Sequence, residues 1–123
     1  MPRPQKKRYV CCMPQNKEFA PMHTSCEAPV TLTVDEYETI RLIDLEGVTQ
    51  EECAVQMHVS RTTIQGIYNS ARKKIADALV HGKRFMISGG DYIVCQHYAA
   101  QCGRGCHRHC HKHQCSMNHT EDQ

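Results

Sequence analysis

A chain of 123 residues with 40% hydrophobic content, 6% aromatics and no Trp has room for one small domain, with a core that often needs a metal or a partner chain. Lys and Arg number 15 against 13 Asp and Glu, and the resulting net charge of +2 hides a segregation along the chain. No apolar run follows the basic start and none approaches membrane-span length, which predicts a cytoplasmic protein with neither signal peptide nor anchor.

In chain order, residues 1–32 read as an irregular, Pro-rich basic arm carrying Arg3, Lys6, Lys7 and Arg8. Such an arm either solubilises the chain or reaches an adjacent groove or phosphates. A helical domain over 33–83 follows. Its first helix starts at Thr33, which with Glu36 makes a capping box, and stops at Gly47. Asp35, Glu36 and Glu38 are expected to serve the helix dipole. A second helix starts at Thr49 with Glu52. A third is capped by Ser60 and runs to Gly82, roughly 30 Å at 1.5 Å per residue. Around Gly89-Gly90, residues 84–95 read as a β-hairpin. Residues 96–123 form a Cys/His-rich tail with almost no aliphatic content. The acids concentrate in 33–52 and the bases in 61–84, an arrangement able to show one basic face to a polyanion.

Residues 50–69 carry the strongest pattern. Two helices cross closely only where small and apolar residues fall at fixed places. Ala54 is small at the crossing, and Cys53, Met57, Val59, Ile64 and Ile67 are apolar around it. Cys53 therefore reads as a core residue. At 100° per residue from Arg61, residues Ile64, Ile67, Ala71, Ile75 and Ala78 fall between about 240° and 320°, a single buried stripe. Thr62, Gln65, Gly66, Asn69 and Lys73 lie opposite, flanked by Arg61 and Arg72. Amides and hydroxyls at the centre suit base edges, and basic residues suit phosphates. The spacing resembles the helix-turn-helix DNA-binding family, especially region four of sigma-70-type factors. His58 departs from it, standing where that family usually has Gly; a positive φ there is one that His tolerates better than β-branched residues do.

Four segments in order, "MPRPQKKRYVC", "TVDEYETIRLIDLEGVTQEECA", "VSRTTIQGIYNSARKKIADALVHGK" and "ISGGDY", resemble the prokaryotic domain-of-unknown-function family 134, or uncharacterised protein family 0251, over about residues 1–95. The resemblance implies a DNA-binding protein of bacteria or archaea with no established enzymatic activity. Some relatives carry a domain similar to those associated with the dinitrogenase iron–molybdenum cofactor, a loose link to metal handling. Only the helix-turn-helix positions Arg61, Thr62, Gln65 and Asn69 carry over.

Nine cysteines, an odd count, read in a reducing compartment as thiols or metal ligands. In the tail, "CGRGCHRHCHKHQC" offers Cys102, Cys106, Cys110 and Cys115 with His107 and His109 as the leading candidate ligands. No C-x-x-C occurs, so the segment is not an ordinary zinc ribbon or knuckle. On a helix Cys102 and Cys110 would lie about 12 Å apart, too far for one ion. Gly103 and Gly105 weaken a helix and leave open a loop wrapped around one ion. Thiolate with imidazole favours zinc or another soft transition metal, and iron–sulfur ligation stays open. The tail is a folded site, a loose chelator, or an end without a metal role. Cys11, Cys12, Cys26 and His23 are further ligand candidates, read first as buried or idle groups.

Together these readings predict a mainly α protein: a helix-turn-helix DNA-binding domain with a short β-hairpin and a Cys/His-rich C-terminal tail. The expected function is a sequence-specific, metal-responsive transcriptional regulator that binds double-stranded DNA as a homodimer. Ser60 caps the reading helix, Arg61, Thr62, Gln65 and Asn69 contact bases, and Arg72, Lys73 and Lys74 neutralise phosphates. The alternative is a metal buffer or metallochaperone whose helical part serves protein contacts. A thiol redox enzyme fits poorly, and no enzymatic activity is expected.

Overall fold

The structure, a computed structural model, describes residues 7–23 and 28–94. Three strands precede the helices: β1 (Arg8–Val10), β2 (Glu18–Phe19) and β3 (Val30–Leu32). They arise in the segment expected to be irregular, where the apolar runs are too brief to display a period of two. Next, α1 (Val34–Thr39) opens on the predicted capping box. The Thr33 hydroxyl accepts from the Glu36 N–H at 3.3 Å, and the Glu36 carboxylate accepts from the Thr33 N–H at 2.9 Å. The helix widens over Ile40–Leu45 into a π-type segment, in which the Glu46 N–H donates to the Arg41 carbonyl at 2.9 Å. The second helix, α2 (Gln50–Met57), repeats the device with Thr49 and Glu52. The third, α3 (Arg61–His81), is capped by Ser60, whose hydroxyl accepts from the Thr63 N–H at 3.1 Å. The protein is mainly helical.

The remaining strands, β4 (Phe85–Ile87) and β5 (Tyr92–Val94), do not make the hairpin expected over 84–95. β4 lies between β2 and β3, antiparallel to the first and parallel to the second, while β5 pairs in parallel with β1. The turn between them bonds to the start of α1 instead of closing on itself. The Ser88 N–H donates to the Leu32 carbonyl and the Val34 N–H to the Gly89 carbonyl, each at 2.9 Å. Gly90 has φ 104°, and a Cβ there would run into the Asp35 carboxylate and lie 2.9 Å from the Thr33 Cβ. The paired glycines thus mark a close approach to a helix start, where only Gly fits.

Both sheets and all three helices close on one core, with Val10, Leu32, Val34, Leu42, Met57 and Ile64 nearly or fully buried. Cys53 is part of it, as its position in the apolar set predicts. Its sulfur lies 3.7 Å from that of Met57, and burial pushes its thiol pKa up to about 12. Glu38 is also fully buried. Its carboxylate accepts from Arg41 Nε at 2.9 Å, Arg41 Nη2 at 2.7 Å and the Cys11 N–H at 3.0 Å. Burial works to lower the Arg41 pKa, but the bonds and charge of Glu38 outweigh it and hold the guanidinium charged. Glu38 is therefore a structural anchor between α1 and the end of β1, a role beyond the helix dipole.

Candidate nucleic-acid interface

The geometry of α2 and α3 follows from Ala54 within α2 and from His58 and Val59 in the turn that follows. Ala54 is buried where the helices meet. His58 ends α2 in the left-handed region at φ 63°, ψ 41°, as its place in the sequence requires. The His58 N–H donates to the Val55 carbonyl at 3.2 Å and the Val59 N–H to the Ala54 carbonyl at 3.0 Å, satisfying the helix end. Holding a non-Gly residue there costs about 1–2 kcal/mol. Tyr9 of β1 stacks on the His58 ring with centroids 4.0 Å apart, an offsetting contact.

Along α3 the two predicted faces separate. Ile64, Ala71 and Ala78 are buried, and Ile67 and Ile75 half-buried. Ser60, Arg61, Thr62, Gln65, Gly66, Asn69, Arg72 and Lys73 are exposed. Ser60 spends its hydroxyl on capping and a 2.9 Å contact with the Thr63 hydroxyl. The centre of the face is thus hydroxyl and amide, with no Cβ at Gly66 to hold a partner away.

Charge is distributed less simply than the sequence suggests, because the acidic block folds against the basic one. The Lys74 ammonium donates to Glu36 Oε1 at 2.9 Å, and the Ser70 hydroxyl to Glu36 Oε2 at 2.6 Å. Burial raises the Glu36 pKa, but the hydrogen bonds from Ser70, Lys74 and the Thr33 backbone outweigh it and hold the carboxyl below its ordinary value. Lys74, expected among the phosphate contacts, ties α3 to α1 within the fold. Arg72 is shared: its Nε lies 3.7 Å from Asp44, and its guanidinium sits 5.3 Å from the centre of the Tyr68 ring. The Tyr68 hydroxyl donates to Asp44 at 2.7 Å, and this bond is the main cause of its raised pKa. At the far end, Asp77 binds His81 at 2.7 Å and Lys83 at 3.0 Å, while Arg84 lies 3.7 Å from Glu18. Among the described residues, Arg61 and Lys73 enter no ion pair. Surplus positive charge on α3 therefore borders the polar face at the first helical residue and again just past the middle of the helix.

Sequence reasoning missed Tyr68, which frames this face beside Arg72, and Tyr9, which supports the turn. Tyr68 falls at about 340° on the same helical wheel, at the edge of the face. No local signal points from it to Asp44, or from Tyr9 to His58, because each pair is distant in sequence. The expected metal ligands Cys102, Cys106, Cys110, Cys115, His107 and His109 lie outside the described residues, as does Cys26. Among the described residues no group of three or more His, Cys, Asp or Glu is placed to hold a metal ion. Nor is any described helix long and apolar enough to cross a membrane.

Comparison with known proteins gives a consistent set of relatives. The family profile described as "Protein of unknown function DUF134" matches residues 1–95. The "UPF0251 protein" of Desulfitobacterium hafniense (strain DSM 10664 / DCB-2) is 53% identical over 118 residues, covering 94% of each chain. That of Caldicellulosiruptor saccharolyticus is 47% identical over 124 residues, 99% of this chain and 87% of the relative. That of Thermoanaerobacter pseudethanolicus is 53% identical over 96 residues, 76% of this chain and 81% of the relative. No solved structure matches.

Proposed function

The chain belongs to the family described as "Protein of unknown function DUF134", and from that premise we propose that it is a sequence-specific DNA-binding transcriptional regulator of the helix-turn-helix type. It acts in the cytoplasm on double-stranded DNA and is not an enzyme. In this reading α3 enters the major groove, with Arg61, Thr62, Gln65 and Asn69 facing base edges and Lys73 and Arg72 facing phosphates. The observation that supports it is the exposed face of α3: polar at its centre and bordered by Arg61 and Lys73, while neighbouring charges are paired within the fold. A merely solvated face has no reason to keep its uncharged centre and its unpaired bases together.

Half-site reading by such helices usually takes two copies. Leu79 and Val80, 80% and 74% exposed, give the last turns of α3 an apolar surface suited to a homodimer contact. The Cys/His tail is the input: a zinc or other soft-metal signal that changes DNA affinity. The test is selection of genomic fragments by the full chain at fixed salt, with and without a chelator. Enrichment of one shared, two-fold symmetric sequence is expected. Recovery no different from random fragments would contradict the reading.

A further inference from the structure

β1 ends on Val10, and the chain then bends through two adjacent cysteines, Cys11 and Cys12. Their sulfurs lie 3.8 Å apart, in contact but well beyond the ~2.05 Å of a disulfide bond. Neighbouring Cα atoms sit about 3.8 Å apart across a trans peptide, short of the ~4.4–6.8 Å that an ordinary disulfide spans. A bond closed between neighbours is therefore strained, and strained disulfides are the readily reduced ones. Such a pair suits a reversible modification better than a permanent crosslink. Its surroundings give the two thiols different parts. Cys11 is buried and Cys12 half-buried, so solvent reaches Cys12 first. The Cys11 N–H donates to the buried Glu38 carboxylate at 3.0 Å, which fixes the bend. Arg41, bound to that carboxylate, lies within electrostatic reach of Cys11, and a nearby cation favours thiolate over thiol.

We propose that Cys11 and Cys12 form a site of reversible oxidation by a hydroperoxide, with Cys12 the attacking thiol and Cys11 the resolving one. The Cys12 thiolate attacks the terminal peroxide oxygen and the O–O bond breaks. Cys12 becomes a sulfenic acid, and the other oxygen takes a proton and leaves as an alcohol, or as water when the oxidant is hydrogen peroxide. The Cys11 thiol then attacks the Cys12 sulfur, the S–O bond breaks, water leaves and the S–S bond closes. The two sulfurs lose two electrons in all, and the peroxide gains them. A thiol reductant reverses the bond by exchange. The site uses neither the tail nor the exposed face of α3, and it does not depend on the DNA-binding reading.

The experiment treats the reduced full chain, in the presence of a chelator, with an equimolar amount of hydrogen peroxide. The chain is then unfolded, its remaining thiols are alkylated, and the tryptic peptide Tyr9–Lys17, which holds Cys11 and Cys12 and no other cysteine, is weighed. That peptide should lose both alkylation sites together, appear lighter than its dithiol form by two hydrogens, and regain both sites after dithiothreitol. Cys53, buried in the core, should stay reduced. A second readout separates the two roles by trapping sulfenic acid with dimedone: C11S should be labelled at Cys12, and C12S several-fold less at Cys11. The proposal is overturned if the peptide keeps both thiols, if it is found joined to another cysteine of the chain, if Cys53 oxidises as readily, or if C12S is labelled as strongly as C11S.

Discussion

Tyr9 and His58 lie nearly face to face, their ring planes 24° from parallel. The contact fastens β1 to the one turn that sets the angle between α2 and α3, and it supports a residue held at positive φ. Replacing His58 should therefore follow a particular order of cost. His58→Gly loses the stack but relieves the left-handed backbone. His58→Ala loses the stack and keeps the strain, a loss of about 1 kcal/mol. His58→Val adds β-branching in that region and should be worst. Denaturant midpoints of the three variants test the order, and a glycine variant less stable than the valine one would overturn the account of the turn.

Glu36 connects pH to the docking of α3. Its folded pKa is lowered, so its contribution is present above the unfolded value of about 4.5 and is lost as pH falls through the folded value. Thermal melts of the wild type should lose stability across that acid window, and Glu36→Gln should lose less there. Parallel curves for the two proteins below pH 5 would show that the Ser70–Glu36–Lys74 cluster does not carry the effect.

Breaking the buried Glu38–Arg41 pair removes the two short bonds of the guanidinium and leaves it the longer ion pair with Glu46, at 3.5 Å. Glu38→Ala should destabilise the fold by about 3–5 kcal/mol, a large part of the ~5–15 kcal/mol of a small domain. Circular dichroism during urea unfolding measures it. A loss below 1 kcal/mol would mean that Glu38 only serves the helix dipole.

Lys73 and Lys74 are adjacent in sequence and differ in surroundings, the first exposed and the second paired with Glu36. Lys73→Ala should leave stability within about 0.5 kcal/mol and weaken all DNA sequences alike, reducing the salt slope by about 1. Lys74→Ala should lower stability through loss of the ion pair with Glu36 and change the salt slope less. Identical salt slopes in the two variants would contradict the assignment of Lys74 to the fold.

The helices were legible because their signals are local: each cap lies three residues from its partner, and the stripe through Ile64, Ala71 and Ala78 repeats within a few turns. The face of α3 was legible for the same reason, from Arg61 to Lys73. The strands were not, since β1 through β5 are two or three residues long and pair across the chain. Gly89-Gly90 carried turn chemistry, but the contact that requires glycine is with Thr33 and Asp35, more than fifty residues earlier in the sequence. The tie made by Lys74 was hidden for a similar reason: its charge was visible, and its partner Glu36 on another helix was not.

Under the proposed function, the exposed face of α3 reads DNA. It is tested most directly by the double variant Gln65→Ala, Lys73→Ala of the full chain, with affinity for the selected sequence and for a random one measured across salt. Gln65 should cost roughly 1–3 kcal/mol on the selected sequence alone, and Lys73 should weaken both and flatten the slope. A folded double variant with both affinities and both slopes unchanged would contradict the account.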